Sequence, residues 1–193
     1  MEKRSNKFLW IPVLIFSLEY LGIVGYYWLW GGHLGDASLT ISRFVGLNTW
    51  SSLLFCAGNL AIAVMLFYYI IVHAKMKNFL WKLLMMFFII CFVALSISPH
   101  VPDESMPAKI HCFFAGAMFI IMTVISIFTA LTTKQKLTSL ICLFYIMYGV
   151  FFLVCDLFRI DFFMRGILWY ESAYIFAFFA VLINSNRLKE QID

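Results

Sequence analysis

Histidine and carboxylate side chains are the residues of this sequence best suited to chemistry, and the densest group of them lies in a short polar stretch. That stretch, 98–111, contains three prolines together with His100, Asp103 and His111. Imidazoles and carboxylates bind zinc and harder divalent metals, and a bound metal activates a coordinated water as a nucleophile. One hypothesis is therefore a divalent metal cofactor, with His100, Asp103 and His111 as candidate ligands.

Further acidic residues lie in other polar stretches and could join this group. The full candidate polar cluster is His100, Asp103, His111, Asp156, Glu171 and Asp36. Two alternatives stay open. Asp156 with Arg159 has the spacing of an ordinary helix-end ion pair, and the other acids would then be solvated charges. A small-molecule or lipid ligand is the remaining alternative, since no zincin-type or other tight metal motif is present.

Two polar residues stand inside long apolar stretches, Glu19 in the first and Asn59 in the second. An ionisable group in the middle of a membrane costs at least roughly 2–3 kcal/mol unless it is paired or protonated. A neutral Glu19 hydrogen-bonded to Asn59 would be a structural clamp. A carboxylate coupled to a proton or cation is the functional alternative, and both hypotheses place the pair at similar depth in neighbouring helices.

The elements that must position these residues are apolar helices. Of the 193 residues, 64% are hydrophobic and 12% are charged, whereas a soluble domain carries about 25% charged residues. A membrane span needs about 20 apolar residues. The sequence predicts an all-α bundle of six transmembrane helices in a single domain over 1–193, with the lipid bilayer as its partner. The predicted spans are 8–30, 49–73, 78–98, 108–132, 138–158 and 167–185.

The distribution of basic residues predicts the orientation of these helices. With the N-terminus in the cytoplasm, ten of the fourteen Lys and Arg residues fall on the inner side, as the positive-inside rule requires. The basic residues are scattered and form no stripe, which argues against nucleic-acid binding. The five cysteines lack C-x-x-C spacing, so neither a zinc ribbon nor a redox pair is indicated. Both termini are therefore predicted to be cytoplasmic.

Two stretches resemble a known family. Residues 41–59, with Ser42 and Gly46, are similar to the entry into the second helix of a family of uncharacterised bacterial six-helix membrane proteins, distantly like the DRAM-type proteins. The second stretch, 98–111, resembles the outer hairpin of that family and is followed by Ala115, Met118 and Phe119. The resemblance implies an integral protein of the bacterial cytoplasmic membrane, and it implies no particular activity.

Three functions are compatible with these features. The first is a small transporter-like or ligand-binding protein that uses Glu19 and Asn59 below a polar vestibule. The second is a membrane-embedded metal-dependent hydrolase acting on lipid at the outer leaflet. The third is an accessory or structural subunit of another membrane protein. The sequence leaves the substrate and the oligomeric state open.

Overall fold

The computed structural model describes residues 3–30, 40–46, 49–73, 79–98 and 106–187, and nearly all of them are helical. Six helices in these ranges are long and apolar enough to cross a membrane, which confirms the predicted all-α fold and makes this an integral membrane protein. They are α1 (Lys3–Trp30), α3 (Thr49–Tyr68), α4 (Phe79–Ile97), α5 (Met106–Thr132), α6 (Lys136–Leu157) and α8 (Ile167–Arg187).

Two short helices that the sequence did not predict lie between the spans. These are α2 (Ile41–Gly46) and α7 (Asp161–Arg165). A span is recognised by a run of about 20 apolar residues, so helices of one or two turns leave no comparable signal. In addition, α3 continues from Tyr69 to His73 as a π-helical turn.

The six long helices form a closed ring in chain order. Each long helix packs against the next one along the chain, and α8 closes the ring by packing against α1. Helix α8 also contacts α5, α2 and α7. About 50% of the α8 span is buried, against 17–33% in the other five spans. Helix α8 is therefore the most central element of the bundle.

On one side of α8 the interior is filled by aromatic rings from α5, α6 and α8. The rings of Tyr145 and Tyr174 stack with their centroids 4.5 Å apart, and Phe178 packs against Tyr145. The Tyr174 hydroxyl lies 2.7 Å from Thr123 Oγ1. A Cβ atom at Gly149 would lie only 3.0 Å from that hydroxyl, so the absence of a side chain lets α6 approach α8 closely.

Large apolar side chains cover the outside of the bundle, where they would contact lipid. Leu131 is 81% exposed and Trp50 is 72% exposed. Trp81, by contrast, is only 2% exposed. Its ring belongs to the core of the bundle and not to the surface that would contact lipid.

Candidate functional site: a cavity beneath a short helix

A cavity of about 320 Å³ lies on the other side of α8, between α1, α3, α4 and α5, with α2 contributing to its wall. Its lining is mainly apolar. The polar residues of the lining are Thr49, Ser52, Asn59, Ser96, Ser98, His111 and Glu171. The volume is roughly twice that of the ~150 Å³ engineered cavity that binds benzene, and it falls at the lower end of the ~300–1,000 Å³ range of ligand pockets.

The cavity runs from one end of the bundle to about mid-depth. His111 and Glu171 lie near the first residues of α5 and α8, and Ser98 directly follows the last residue of α4. Asn59 lies ten residues beyond the start of α3, which corresponds to about 15 Å along the helix axis. The polar groups are therefore found at the end of the bundle and again at the deep end of the cavity.

Glu171 connects the cavity to α2. Its Oε2 accepts a hydrogen bond of 2.8 Å from the backbone N–H of Ile41, the first residue of α2. The first N–H groups of a helix have no partner inside that helix, so a carboxylate at this position satisfies one of them. A residue 130 positions away in the chain thereby fixes the start of α2.

The other end of α2 is fixed by two serines. Ser51 Oγ and Ser52 Oγ each donate a hydrogen bond of 2.9 Å to the carbonyl oxygen of Val45. Ile41 and Val45 are buried and line the cavity, while Arg43 is exposed. Helix α2 is thus an amphipathic cover that is hydrogen-bonded at both ends to the long helices.

His111 is 5% exposed and is held by the end of α4. Its Nδ1 lies 2.6 Å from the carbonyl oxygen of Ser98. A carbonyl can only accept, so Nδ1 carries the proton and donates it in this bond. The last carbonyls of a helix lack intrahelical partners, and the ring of His111 supplies one at the α4 terminus. This bond fixes both the tautomer and the orientation of the imidazole.

The remaining serine hydroxyls of the cavity are also engaged. Ser96 Oγ donates to the carbonyl oxygen of Phe92 and Ser98 Oγ to that of Ala94, each at 2.7 Å. These are i to i−4 bonds within α4 and at its end. The hydroxyl protons are used by the protein itself, and the hydroxyl oxygens keep acceptor capacity toward the cavity.

Asn59 stands at the deep end and differs from the other polar residues. It is 1% exposed, and its Oδ1 has no hydrogen-bond partner in the described part of the chain. Buried polar side-chain atoms are paired in the large majority of cases. A cavity-lining residue whose amide oxygen is buried without a described partner is the feature of this site that most clearly calls for a further molecule.

Glu19 does not line the cavity. Its carboxyl group packs against Gly58 at the contact of α1 with α3, in the place that a Cβ atom at position 58 would occupy. Among the described residues, Glu19 Oε2 and Asn59 Oδ1 are both buried without a partner. The clamp hypothesis, a hydrogen bond between Glu19 and Asn59, stays a prediction.

The structure brings two of the predicted cluster residues, His111 and Glu171, to the same cavity. Asp156 is elsewhere: it is 45% exposed on α6, does not line the cavity, and lies 3.8 Å from Arg159. Asp36, His100 and Asp103 fall outside the described residues. Within the residues that are described, no group of three or more His, Cys, Asp or Glu side chains is arranged to hold a metal ion. The metal site stays a prediction.

Sequence reasoning missed the residues that close the cavity, above all Ile41, Val45 and Ser51. Their contribution depends on α2, which is too short to produce a periodic apolar pattern. The one available signal was the pair Ser51 and Ser52, placed where a new helix begins after Gly46. Serine at such a position is typical of side-chain bonds to nearby backbone groups.

Comparisons with protein-family models, curated proteins and solved structures give no match to this chain. The resemblance to the six-helix bacterial family therefore stays a prediction, and the function has to be argued from the cavity itself.

Proposed function

We propose that this protein binds a small, largely apolar molecule in the cavity beneath α2. The observation that carries the proposal is Asn59, a cavity-lining residue whose Oδ1 is a buried acceptor without a described partner. Leaving a buried acceptor unsatisfied costs about 1–3 kcal/mol. A ligand with an apolar body and one hydrogen-bond donor would recover that energy at the deep end while its body replaces water or void.

Helix α2 supports the proposal because it forms part of the cavity wall without filling the cavity. The Ile41 N–H donates a hydrogen bond to Glu171, and the Val45 carbonyl oxygen accepts one from Ser51, so both ends of α2 are held in place. If the termini are cytoplasmic, as the basic residues predict, this end of the bundle faces the outside of a bacterial cytoplasmic membrane. The ligand would then enter from the external face or from the outer leaflet.

Cys56 offers a direct test because it lines the cavity, whereas Cys112 is exposed on the outside of α5. Two single-cysteine proteins, retaining Cys56 or Cys112, are labelled with N-ethylmaleimide in lipid nanodiscs. The probe is 1-naphthalenemethanol, an apolar bicyclic molecule with one hydroxyl. We expect it to slow the labelling of Cys56 at least threefold and to leave Cys112 unchanged. Equal rates at Cys56 with and without the probe would overturn the proposal.

A second measurement needs no single-cysteine protein. Ala115 lines the cavity, and Ala115→Phe is designed to fill it. Cys112→Phe adds an aromatic ring to the same helix on its exposed side and serves as the matched control. We expect equilibrium dialysis of 1-naphthalenemethanol to show loss of saturable binding in the first variant and retention in the second. Equal loss in both variants, or in neither, contradicts the assignment of the site.

A second candidate function is proton-coupled transport, and the observation that favours it is Glu19. A carboxyl oxygen near the middle of a span with no described partner is the arrangement expected of a group that exchanges a proton. The test is proton flux into reconstituted vesicles, followed with an internal pH-sensitive dye. We expect Glu19→Gln to abolish any protein-dependent flux and Asp161→Asn to leave it unchanged. Flux that survives Glu19→Gln would eliminate this candidate.

A further inference from the structure

Four polar groups around the cavity share one property, which is that a donor of each is engaged within the protein. The hydroxyls of Ser52, Ser96 and Ser98 donate to backbone carbonyls, and His111 Nδ1 donates to the carbonyl of Ser98. What these groups can still offer to a ligand through the same atoms is acceptor capacity on the hydroxyl oxygens. The wall is therefore matched to a ligand that brings donors.

The two strongest acceptors of the cavity lie at its two levels. Asn59 Oδ1 is at the deep end without a described partner, and the Glu171 carboxyl group is near the end of the bundle. None of the described residues that line the cavity is Lys or Arg. The lining thus contains one acidic side chain and no fixed positive charge, in surroundings that are mainly apolar and where charge pairs are screened less than in water.

From this acceptor-rich lining we infer that the ligand is a primary organic amine with an apolar body, bound as its ammonium ion. The inference rests on the proposed function and specifies its ligand class. An ammonium group carries three donors and no acceptor, which is the complement of this wall. Its hydrogen bonds to a carboxylate are charge-assisted and roughly twice as strong as neutral ones. A carboxylate ligand would instead be repelled by the like charge of Glu171.

Glu171 can bind such a ligand without releasing α2. Its two oxygens offer about four acceptor positions, and the bond from the Ile41 N–H uses one of them. An ammonium group at the remaining positions would pair with the same carboxylate that holds the cover. The ligand and α2 then stabilise the same orientation of Glu171, so an amine is expected to bind with the cavity closed.

The experiment compares three probes of nearly equal shape on the protein that retains Cys56. They are 1-naphthylmethylamine, 1-naphthalenemethanol and 1-naphthoate at pH 7, where the amine is protonated. We expect the amine to protect Cys56 from N-ethylmaleimide at about one-tenth of the concentration that the alcohol needs, and the carboxylate to give no protection. The protein that retains Cys112 is measured in parallel and corrects for partition of each probe into lipid.

Glu171→Gln tests the residue that is assigned to the ammonium group. Glutamine keeps an acceptor for the Ile41 N–H but removes the charge, so we expect the tenfold advantage of the amine to disappear while protection by the alcohol is retained. Asp161→Asn removes an exposed acid from the short helix α7 and should leave the advantage intact.

The outcomes separate the two proposals. Protection by the alcohol that equals or exceeds protection by the amine leaves the binding function standing and overturns the amine assignment. Better protection by 1-naphthoate does the same. Absence of protection by all three probes overturns both. The comparison of probes in the unsubstituted cavity needs no variant at Glu171, so it decides the assignment even where Glu171→Gln fails to fold.

Discussion

Two glutamates lie among the described residues of the membrane-spanning helices, and their surroundings are opposite. Glu171 is near the start of α8, where its carboxyl group accepts a hydrogen bond from the Ile41 N–H and lines the cavity. Glu19 is near the middle of α1, where its carboxyl group packs against Gly58 and one oxygen is buried without a described partner. The Glu171 carboxyl group therefore has a hydrogen-bond donor, whereas one oxygen of the Glu19 carboxyl group has none among the described residues.

The contrast shows that the energetic effect of an acid within an apolar helix depends on its position along that helix. Near the end of the bundle, backbone groups at helix termini are available as donors, and a carboxylate there satisfies them. At mid-span every backbone N–H is already bonded within its own helix, so a carboxylate finds no donor unless a side chain supplies one. Depth therefore decides whether the acid stabilises the fold or costs stability that only a function would justify.

The largest expected effect is a difference of sign between the same substitution at the two acids. Methionine is unbranched and similar in length to glutamate, so it replaces the carboxyl group with little change of shape. We expect Glu19→Met to stabilise the protein by about 1–3 kcal/mol, because an unsatisfied buried acceptor is removed. We expect Glu171→Met to destabilise it by about 0.5–2 kcal/mol, the usual cost of losing a side-chain cap.

The measurement is the free energy of unfolding in mixed micelles titrated with dodecyl sulfate. Glu171→Gln is the control for the second variant, since it keeps an acceptor for Ile41 and should recover most of the loss. Two variants that shift stability in the same direction would show that the two acids are not energetically opposed.

The sequence was sufficient for the six spans, because each span is set by a long apolar run that has no other solvent than lipid. It also singled out Glu19, Asn59, His111 and Glu171 by type and position. It could not supply the partners. The bond from Ile41 to Glu171 joins residues 130 positions apart, and it depends on the ring order that brings α8 beside α2. Likewise, similar depth suggested a Glu19–Asn59 bond, which stays a prediction because depth fixes only one of three coordinates.

The next prediction concerns the hydrogen bond that joins His111 to the end of α4. His111→Leu removes the donor to the Ser98 carbonyl, whereas His111→Asn places an amide N–H at a similar distance from the backbone. We expect the leucine variant to lose about 1 kcal/mol of stability, the usual net value of such a bond, and the asparagine variant to lose less. The same unfolding titration measures both. Equal losses would mean that packing of the ring, not its hydrogen bond, stabilises α4.

A smaller effect tests the unpartnered region through Gly58. A Cβ atom at this position would overlap the Glu19 carboxyl group, which must then rotate away. Because that group is the end of a flexible side chain, we expect Gly58→Ala to cost only about 1 kcal/mol, at the low end for overpacking. In a Glu19→Ala background the same change should stabilise by roughly 0.5–1 kcal/mol through helix propensity.

The control for the Gly58 variant is Gly116→Ala, since nothing lies within 4 Å of a Cβ atom built there. It should behave alike with either residue at position 19. If Gly58→Ala has the same effect on the free energy of unfolding in both backgrounds, the Glu19 carboxyl group does not occupy the space beside Gly58.

The smallest effect concerns Asp156, an acid that is partly exposed on α6. Asp156 is 45% exposed and pairs at 3.8 Å with Arg159, which is 75% exposed. Such pairs contribute about 0–1 kcal/mol, so we expect Asp156→Asn to change the free energy of unfolding by less than about 0.5 kcal/mol. We also expect protection of Cys56 by 1-naphthylmethylamine to be unchanged, because Asp156 does not line the cavity. A loss of amine protection as large as that of Glu171→Gln would show that the two acids act on the ligand together. Exposure of Asp156 would then not separate its role from that of Glu171.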